Sequence, residues 1–282
     1  MARLETVMKF MRRGLTSIPF IIVIGLVLGG LVSIPVIPRP SIATITVSGI
    51  IGGQAYVDNV LDVLQYARDD SRIKGVVLRI NSPGGGVSAT EQIFLELLRL
   101  RQQKPVVVSV GAIAASGGYY AALASNFIYA EPASQIGSIG VWVNLPIREE
   151  LEEKIGTSGP FKATGFPMRK AVSNMEIVRQ TFVEAVVSQR GERLRLSEEE
   201  LSRAELYLGL EGIRNGLIDD IGTRTAAIEK AANLAGVRNY GVIDLVIPGP
   251  AVFPFFSASD LEALKSQINF VPVYYYLYFE QE

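Results

Sequence analysis

Residues 75–118 read GVVLRI, NSPGGG, VSATEQIFLELLRLRQQK, PVVVSVG and AIAASGG in unbroken succession. GVVLRI is a short β-branched run of the kind that fills a doubly covered strand, and PVVVSVG is a second. Between them, residues 90–102 space their apolar side chains as one face of a helix. Strand, glycine turn, helix, strand is the repeating unit of a largely parallel sheet. The same alternation extends outward. Residues 42–50 alternate as a strand, and Val57, Val60, Leu61 and Leu64 fall at helical spacing. NFIYAEP and SIGVWV are further strands. The C-terminal half is more helical. Ser173 and Glu176 have capping-box spacing and start a helix running to about Arg190, Ser197 and Glu200 repeat the signature, and TRTAAIEKAANLAG is a helix with a glycine stop. The expected class is therefore α/β.

Composition narrows the chemistry. The chain of 282 residues has 27 Lys and Arg against 28 Asp and Glu, and it lacks both Cys and His. No basic surface is forced, so nucleic acid is not an expected partner. Thiolate zinc sites, disulfides, thiol nucleophiles and imidazole bases are excluded by the two missing residue types. Catalysis has to run on Ser, Thr, Lys, Tyr, Asp or Glu.

Residues 14–38 contain no charge, a length that spans a hydrocarbon core of about 30 Å as a helix. Arg3, Lys9, Arg12 and Arg13 precede it against one Glu5, the bias that keeps an N-terminus cytoplasmic. The apolar stretch exceeds a signal-peptide core of roughly 7–15 residues and lacks an A-x-A-like site, which favours a retained anchor. The expected organisation is a cytoplasmic N-terminus at 1–13, a transmembrane signal anchor at 14–38, a catalytic domain at 39–240 and an aromatic-rich C-terminal arm at 241–282. That arm holds Phe253, Phe255, Phe256, Tyr274, Tyr275, Tyr276, Tyr278 and Phe279, out of 11 Tyr and 12 Phe in the chain. Prolines at 248, 250, 254 and 272 oppose one continuous helix, so an extended arm buried against a neighbouring subunit is expected.

Three segments offer chemistry. Asn81-Ser82-Pro83-Gly84-Gly85-Gly86 follows a strand and precedes a helix, where backbone N–H groups can face an anion; it is either an oxyanion hole or a tight turn. It has neither the GK[ST] of a phosphate loop nor the spacing of a dinucleotide fingerprint. Ala114-Ala115-Ser116-Gly117-Gly118-Tyr119-Tyr120 follows the next strand. Ser116 there is either a nucleophile, with the Gly117 amide aimed at the oxyanion, or the N-cap of a helix. Ile136-Gly137-Ser138-Ile139-Gly140-Val141 puts a serine between glycines, by default a turn. A nucleophilic serine without histidine needs a lysine or carboxylate base, and apolar burial favours the free amine of a lysine. Lys162, in SGPFKATG, has uncharged neighbours. Lys170 stands beside Arg169.

The order NSPGGG, AASGGYY, GSIGV, SGPFK and a GLID-type segment, over about residues 42–236, resembles the signal peptide peptidase A family. These are membrane-anchored Ser/Lys peptidases with a ClpP/crotonase-like fold of repeated β-β-α units, here preceded by one N-terminal transmembrane helix. The resemblance implies Ser116 as nucleophile, Lys162 as general base, Ser138 as the hydroxyl orienting the lysine, and Gly85 with Gly117 as the oxyanion amides. The interval from Ser138 is shorter than the family's for Lys162 and slightly longer for Lys170, which stays the alternative base. Also implied are membrane-associated peptide substrates such as cleaved signal peptides, with small or apolar side chains entering the pockets, a ring-shaped homo-oligomer, an extracytoplasmic catalytic domain, and no cofactor or metal. A catalytically silent membrane scaffold and a crotonase-type acyl-CoA enzyme are the competing functions.

Overall fold

The computed structural model describes residues 18–33, 39–143, 167–248 and 274–277. The chain divides into two units, Met1–Arg39 and Pro40–Glu282. In the first, α1 (Ile18–Ser33) is 16 residues long, about 24 Å at 1.5 Å per residue. Among the described residues no helix is long and apolar enough to cross a membrane. The remaining parts of the expected span, residues 14–17 and 34–38, lie outside the described residues.

The second unit runs β1 (Ser41–Ser48), α2 (Gln54–Asp69), β2 (Ile73–Ser82), β3 (Gly84–Gly86), α3 (Val87–Gln103), β4 (Val106–Ala115), α4 (Gly117–Ala122), β5 (Phe127–Ala130), β6 (Gln135–Gly137) and β7 (Trp142–Val143). It continues with α5 (Met168–Arg190), α6 (Glu198–Leu201), β8 (Leu206–Leu208), α7 (Gly209–Arg214), β9 (Asp220–Ile221), α8 (Arg224–Leu234), β10 (Gly241–Leu245) and β11 (Tyr274–Leu277). The main sheet has strand order β10-β1-β2-β4-β5-β9, every pair parallel, with β6 added beside β4 and β8 antiparallel to β6. This is a mixed α/β fold.

Strand alternation sorts the β-branched runs onto two faces. Val76, Leu78 and Ile80 of β2 and Val106, Val108 and Val110 of β4 join α2 and α3 in the larger core through Val60, Leu64, Ile93 and Leu97. Val77 and Val107 point the other way, against Ala227, Ala231 and Ala232 of α8. Both sides of the central strands are therefore dry, which is why their sequences read as continuous apolar runs.

Several boundaries differ from the sequence expectation. SIGVWV is not one strand. β6 stops at Gly137, and the next pairing begins at Trp142 in a separate three-stranded sheet ordered β3-β11-β7. The helix expected from Ser173 starts at Met168 behind Pro167, whose missing N–H and fixed φ suit that end, so Ser173 lies inside it. The Ser197–Glu200 capping box is present: the Ser197 Oγ accepts from the Glu200 N–H, and Glu200 Oε2 accepts from the Ser197 N–H. Residues 241–245 of the expected arm are the edge strand of the main sheet, parallel to β1. Residues 274–277 pair with β3 and β7 of their own chain, and the rest of the expected arm, residues 249–273 and 278–282 with Phe253, Phe255, Phe256, Tyr278 and Phe279, lies outside the described residues.

A buried ion pair ties the helical half to the sheet. Arg190 at the end of α5 is 3% exposed, and its guanidinium holds both Asp219 oxygens at 2.9 and 3.1 Å and the Gly216 carbonyl at 2.7 Å. Asp219 also accepts the Ile128 N–H at 2.7 Å. Removing only the carboxylate strands a buried cation. Asp219→Ala should lower unfolding stability by about 3–5 kcal/mol, read as a shift of the urea midpoint at unchanged slope.

Candidate active site

The site begins with a register. β4 and β6 run parallel with Ala114 opposite Ile136 and Ala115 opposite Gly137, so the next step brings Ser116 beside Ser138. The Ser116 N–H donates to the Gly137 carbonyl at 2.7 Å, and the Ser138 N–H donates to the Glu205 carbonyl at 2.8 Å. Both serines have positive φ, 52° and 51°; among the described residues only Ala204, at 54°, is a third non-glycine case. A side chain held in that region costs about 1–3 kcal/mol, and such strain persists only where surrounding packing fixes it. Here it does. Ser116, with ψ −120°, turns the chain sharply from β4 into α4.

α4 is wholly buried and locked from three directions. The Tyr119 hydroxyl donates to the Leu217 carbonyl at 2.8 Å. Tyr120 stacks between Phe94 of α3 and Phe182 of α5, with ring centroids 4.6 and 5.0 Å away. Gly118 lies against Ser82, whose carbonyl would stand 2.6 Å from an added Cβ. Burial raises both phenols, Tyr120 to about 12, so neither tyrosine following Ser116 supplies a phenolate at neutral pH. The Gly117 N–H is the first of a helix and has no intrahelical acceptor.

The glycine-rich segment is brought to the same place by a bulge. Ile80 pairs with Val110 but Ser82 with Ala114, so β4 carries two extra residues there. Asn81 Oδ1 accepts the Ile113 N–H at 3.3 Å within the irregularity. The Ser82 hydroxyl donates to the Gly49 carbonyl at 2.6 Å and accepts the Gly84 N–H at 3.1 Å, pinning the start of β3. Ile51 then holds β3 along one edge: its N–H donates to Gly84 O and its carbonyl accepts from Gly86 N, each at 2.8 Å. Alternation along the strand turns the Gly85 N–H and carbonyl to the opposite edge.

Of the residues singled out in the sequence, Ser116, Ser138, Gly117 and Gly85 therefore lie on adjoining turns of one small region, Ser116 at 1% and Ser138 at 8% exposure. Lys162 falls outside the described residues. Lys170 is exposed on the first turn of α5. The sequence reading missed the supporting residues Asn81, Ser82, Tyr119 and Glu205. Asn81 and Ser82 sit inside the NSPGGG motif, but the groups they hold are about thirty residues away.

Residues 99–238 match the model of peptidase family S49, and residues 43–136 match that of the Clp protease family. Protease 4 of Haemophilus influenzae is 34% identical over 219 residues, which is 70% of this chain and 35% of that protein. "Putative signal peptide peptidase SppA" of Enterococcus faecium is 31% identical over 185 residues, 61% of this chain and 54% of that protein. "Putative protease slr0021" of Synechocystis is 31% identical over 212 residues, 71% of this chain and 76% of that protein. The chain thus spans about a third of the length of Protease 4.

Close approach fixes which glycines of this region are replaceable. A Cβ on Gly85 would sit 1.8 Å from the Ile51 carbonyl oxygen, whereas one on Gly86 meets nothing nearer than 3.7 Å. Gly85→Ala should lower the melting temperature by several degrees, as expected for a loss of about 1–3 kcal/mol, and Gly86→Ala should change it little. Thermal unfolding of the two variants side by side checks this.

Proposed function

The chain belongs to peptidase family S49, and on that premise we propose that it is a serine endopeptidase working through a Ser116–Lys162 dyad and an acyl-enzyme. The observation that carries this reading is the strained Ser116 turn between β4 and α4, side by side with Ser138 and next to the glycine-rich strand. A serine held at positive φ by packing on every side is costly as a mere turn, and that strain is the mark of a group kept in place for chemistry.

In the proposed reaction the free amine of Lys162 takes the Ser116 hydroxyl proton as Oγ attacks a peptide carbonyl. Ser138 orients the amine. The Gly85 and Gly117 amides bind the tetrahedral oxyanion, and the lysine ammonium returns its proton to the leaving amine. Water, deprotonated by the same lysine, then attacks the ester; the Oγ–acyl bond breaks, the lysine ammonium returns its proton to Ser116 Oγ, and the acid leaves. Lys170 is the alternative base, and its exposed place on the first turn of α5 counts against it, since the dyad calls for an amine enclosed beside the Ser116 hydroxyl.

The proposed substrates are membrane-associated peptides such as cleaved signal peptides, with small or apolar side chains in the pockets. The name of the Enterococcus relative supports that class. The uncharged stretch at 14–38, with the apolar α1 inside it, is proposed as the anchor. The N-terminus then stays in the cytoplasm and the peptidase domain, from residue 39 on, faces outward. A homo-oligomeric ring belongs to the same proposal. Val172 and Ile177 on α5, and Leu208 and Leu210 around the start of α7, are exposed apolar side chains available for its contacts.

Ser116→Ala and Lys162→Ala should each reduce peptide hydrolysis by about a thousandfold or more with the far-UV spectrum unchanged, and Lys170→Ala should stay within a few-fold of wild type. Activity should climb from acid to alkaline pH, because the working lysine is unprotonated. Loss on Lys170→Ala instead would transfer the base role. Deleting residues 1–38 should move the protein from the carbonate-resistant membrane fraction into the soluble fraction with hydrolysis retained.

A further inference from the structure

The glycine-rich strand is completed by the far end of the chain. β11 lies between β3 and β7 and is antiparallel to both: Tyr275 pairs with Gly86 on one side and Trp142 on the other. Tyr276 pairs with Gly85, Leu277 with Gly84, and Tyr274 with Val143. β3 starts two residues after Ser82, and β7 starts four residues after Ser138, so the two flanking strands lead away from the two halves of the serine site. Their edges face each other across one strand's width, about 9–10 Å. Only an extended backbone fills such a gap. α3 and α4 both touch β11 as well, α4 being the helix that Ser116 opens.

The hydrogen-bonding groups of β3 are divided between its two edges. Ile51 uses the Gly84 carbonyl and the Gly86 N–H, which leaves Gly85 to face Tyr276. The amide proposed as an oxyanion donor is thus turned to the strand that this chain supplies itself. Ser116 is 1% exposed.

We propose that residues 274–277 are an internal occupant of the peptide-binding groove: they hold the place of an extended substrate backbone between β3 and β7 and must leave before a substrate strand can enter. The inference rests on the reading of Ser116 as the nucleophile. Recognition by main-chain pairing on two edges is tolerant of sequence, so the groove that accepts YYYL accepts other extended apolar peptides. Tethering in the same chain makes the segment a standing competitor at an effective concentration on the order of millimolar, which a free peptide has to overcome. A strand of four residues is weakly held in isolation, so displacement is within reach of a substrate of ordinary affinity.

The test separates occupancy from chemistry. In the Ser116→Ala background, a fluorescent peptide of residues 271–279, VPVYYYLYF, is titrated against the full chain, a chain ending at Val273, and the full chain carrying Tyr276→Pro. Proline removes a strand N–H and unseats the segment without shortening the chain. The truncated and proline forms should bind about tenfold or more tightly than the full chain, and with Ser116 present their kcat/KM for an apolar peptide should rise by a similar factor. Equal affinities in all three forms would overturn the inference, whether or not the protein hydrolyses peptides. Unequal affinities with no hydrolysis by any form would uphold the occupancy and overturn the nucleophile instead.

Discussion

The site depends on the hydrogen bond from the Ser116 N–H to the Gly137 carbonyl, which continues the parallel ladder of β4 and β6 one step past the point where both strands turn. Continuing the ladder holds both serines at positive φ, where an L-residue is strained. The strain of a few kcal/mol is carried by burial on all sides: Tyr119 tied to Leu217, Tyr120 between two phenylalanines, Ser138 held by the backbone of Glu205. Elements from both halves of the fold meet at this point. A loop alone could not hold it, because a free chain would relax to negative φ.

Backbone proximity does the remaining work. Gly85 lies against the Ile51 main chain and Gly118 against the Ser82 carbonyl, at separations where a single methyl group would collide. These contacts draw β3 and the start of α4 together at backbone distance. The two-residue bulge in β4 supplies the offset, since without it Ser82 would face residue 112 and the glycine strand would miss the serine turn. A charged or bulky framework could not achieve this. The arrangement therefore uses small residues for position and keeps its bulky ones, the tyrosines and phenylalanines, as struts behind it.

Much of this is legible in the sequence. The doubly apolar runs of β2 and β4 marked central strands, and Ser116 between Ala115 and Gly117 marked a strand-to-helix turn. The residues alone mark the serines as two separate motifs, and only the family resemblance joins them through a shared lysine, because strand register across residues 115 and 137 is a tertiary choice. The start of α5 differs from the expectation because the capping-box spacing at Ser173 competes with Pro167, six residues upstream, and the helix begins directly behind that proline. SIGVWV looked like one strand because its composition is uniform, whereas the positive φ of Ser138 breaks it. The pairing of residues 274–277 with β3 and β7 left no local trace, since its partners lie some 130 to 190 residues earlier in the chain.

The central claim is that Ser116 is a nucleophile made reactive by its setting, and the most direct measurement is the position of covalent attachment. The intact protein is treated at mildly alkaline pH with a serine-reactive phosphonate, digested, and the adduct mapped by mass spectrometry. The account predicts one modified serine, Ser116, and no modification when Lys162 is replaced by alanine. An adduct spread over exposed serines, or one on Ser138 with Ser116 untouched, would contradict it.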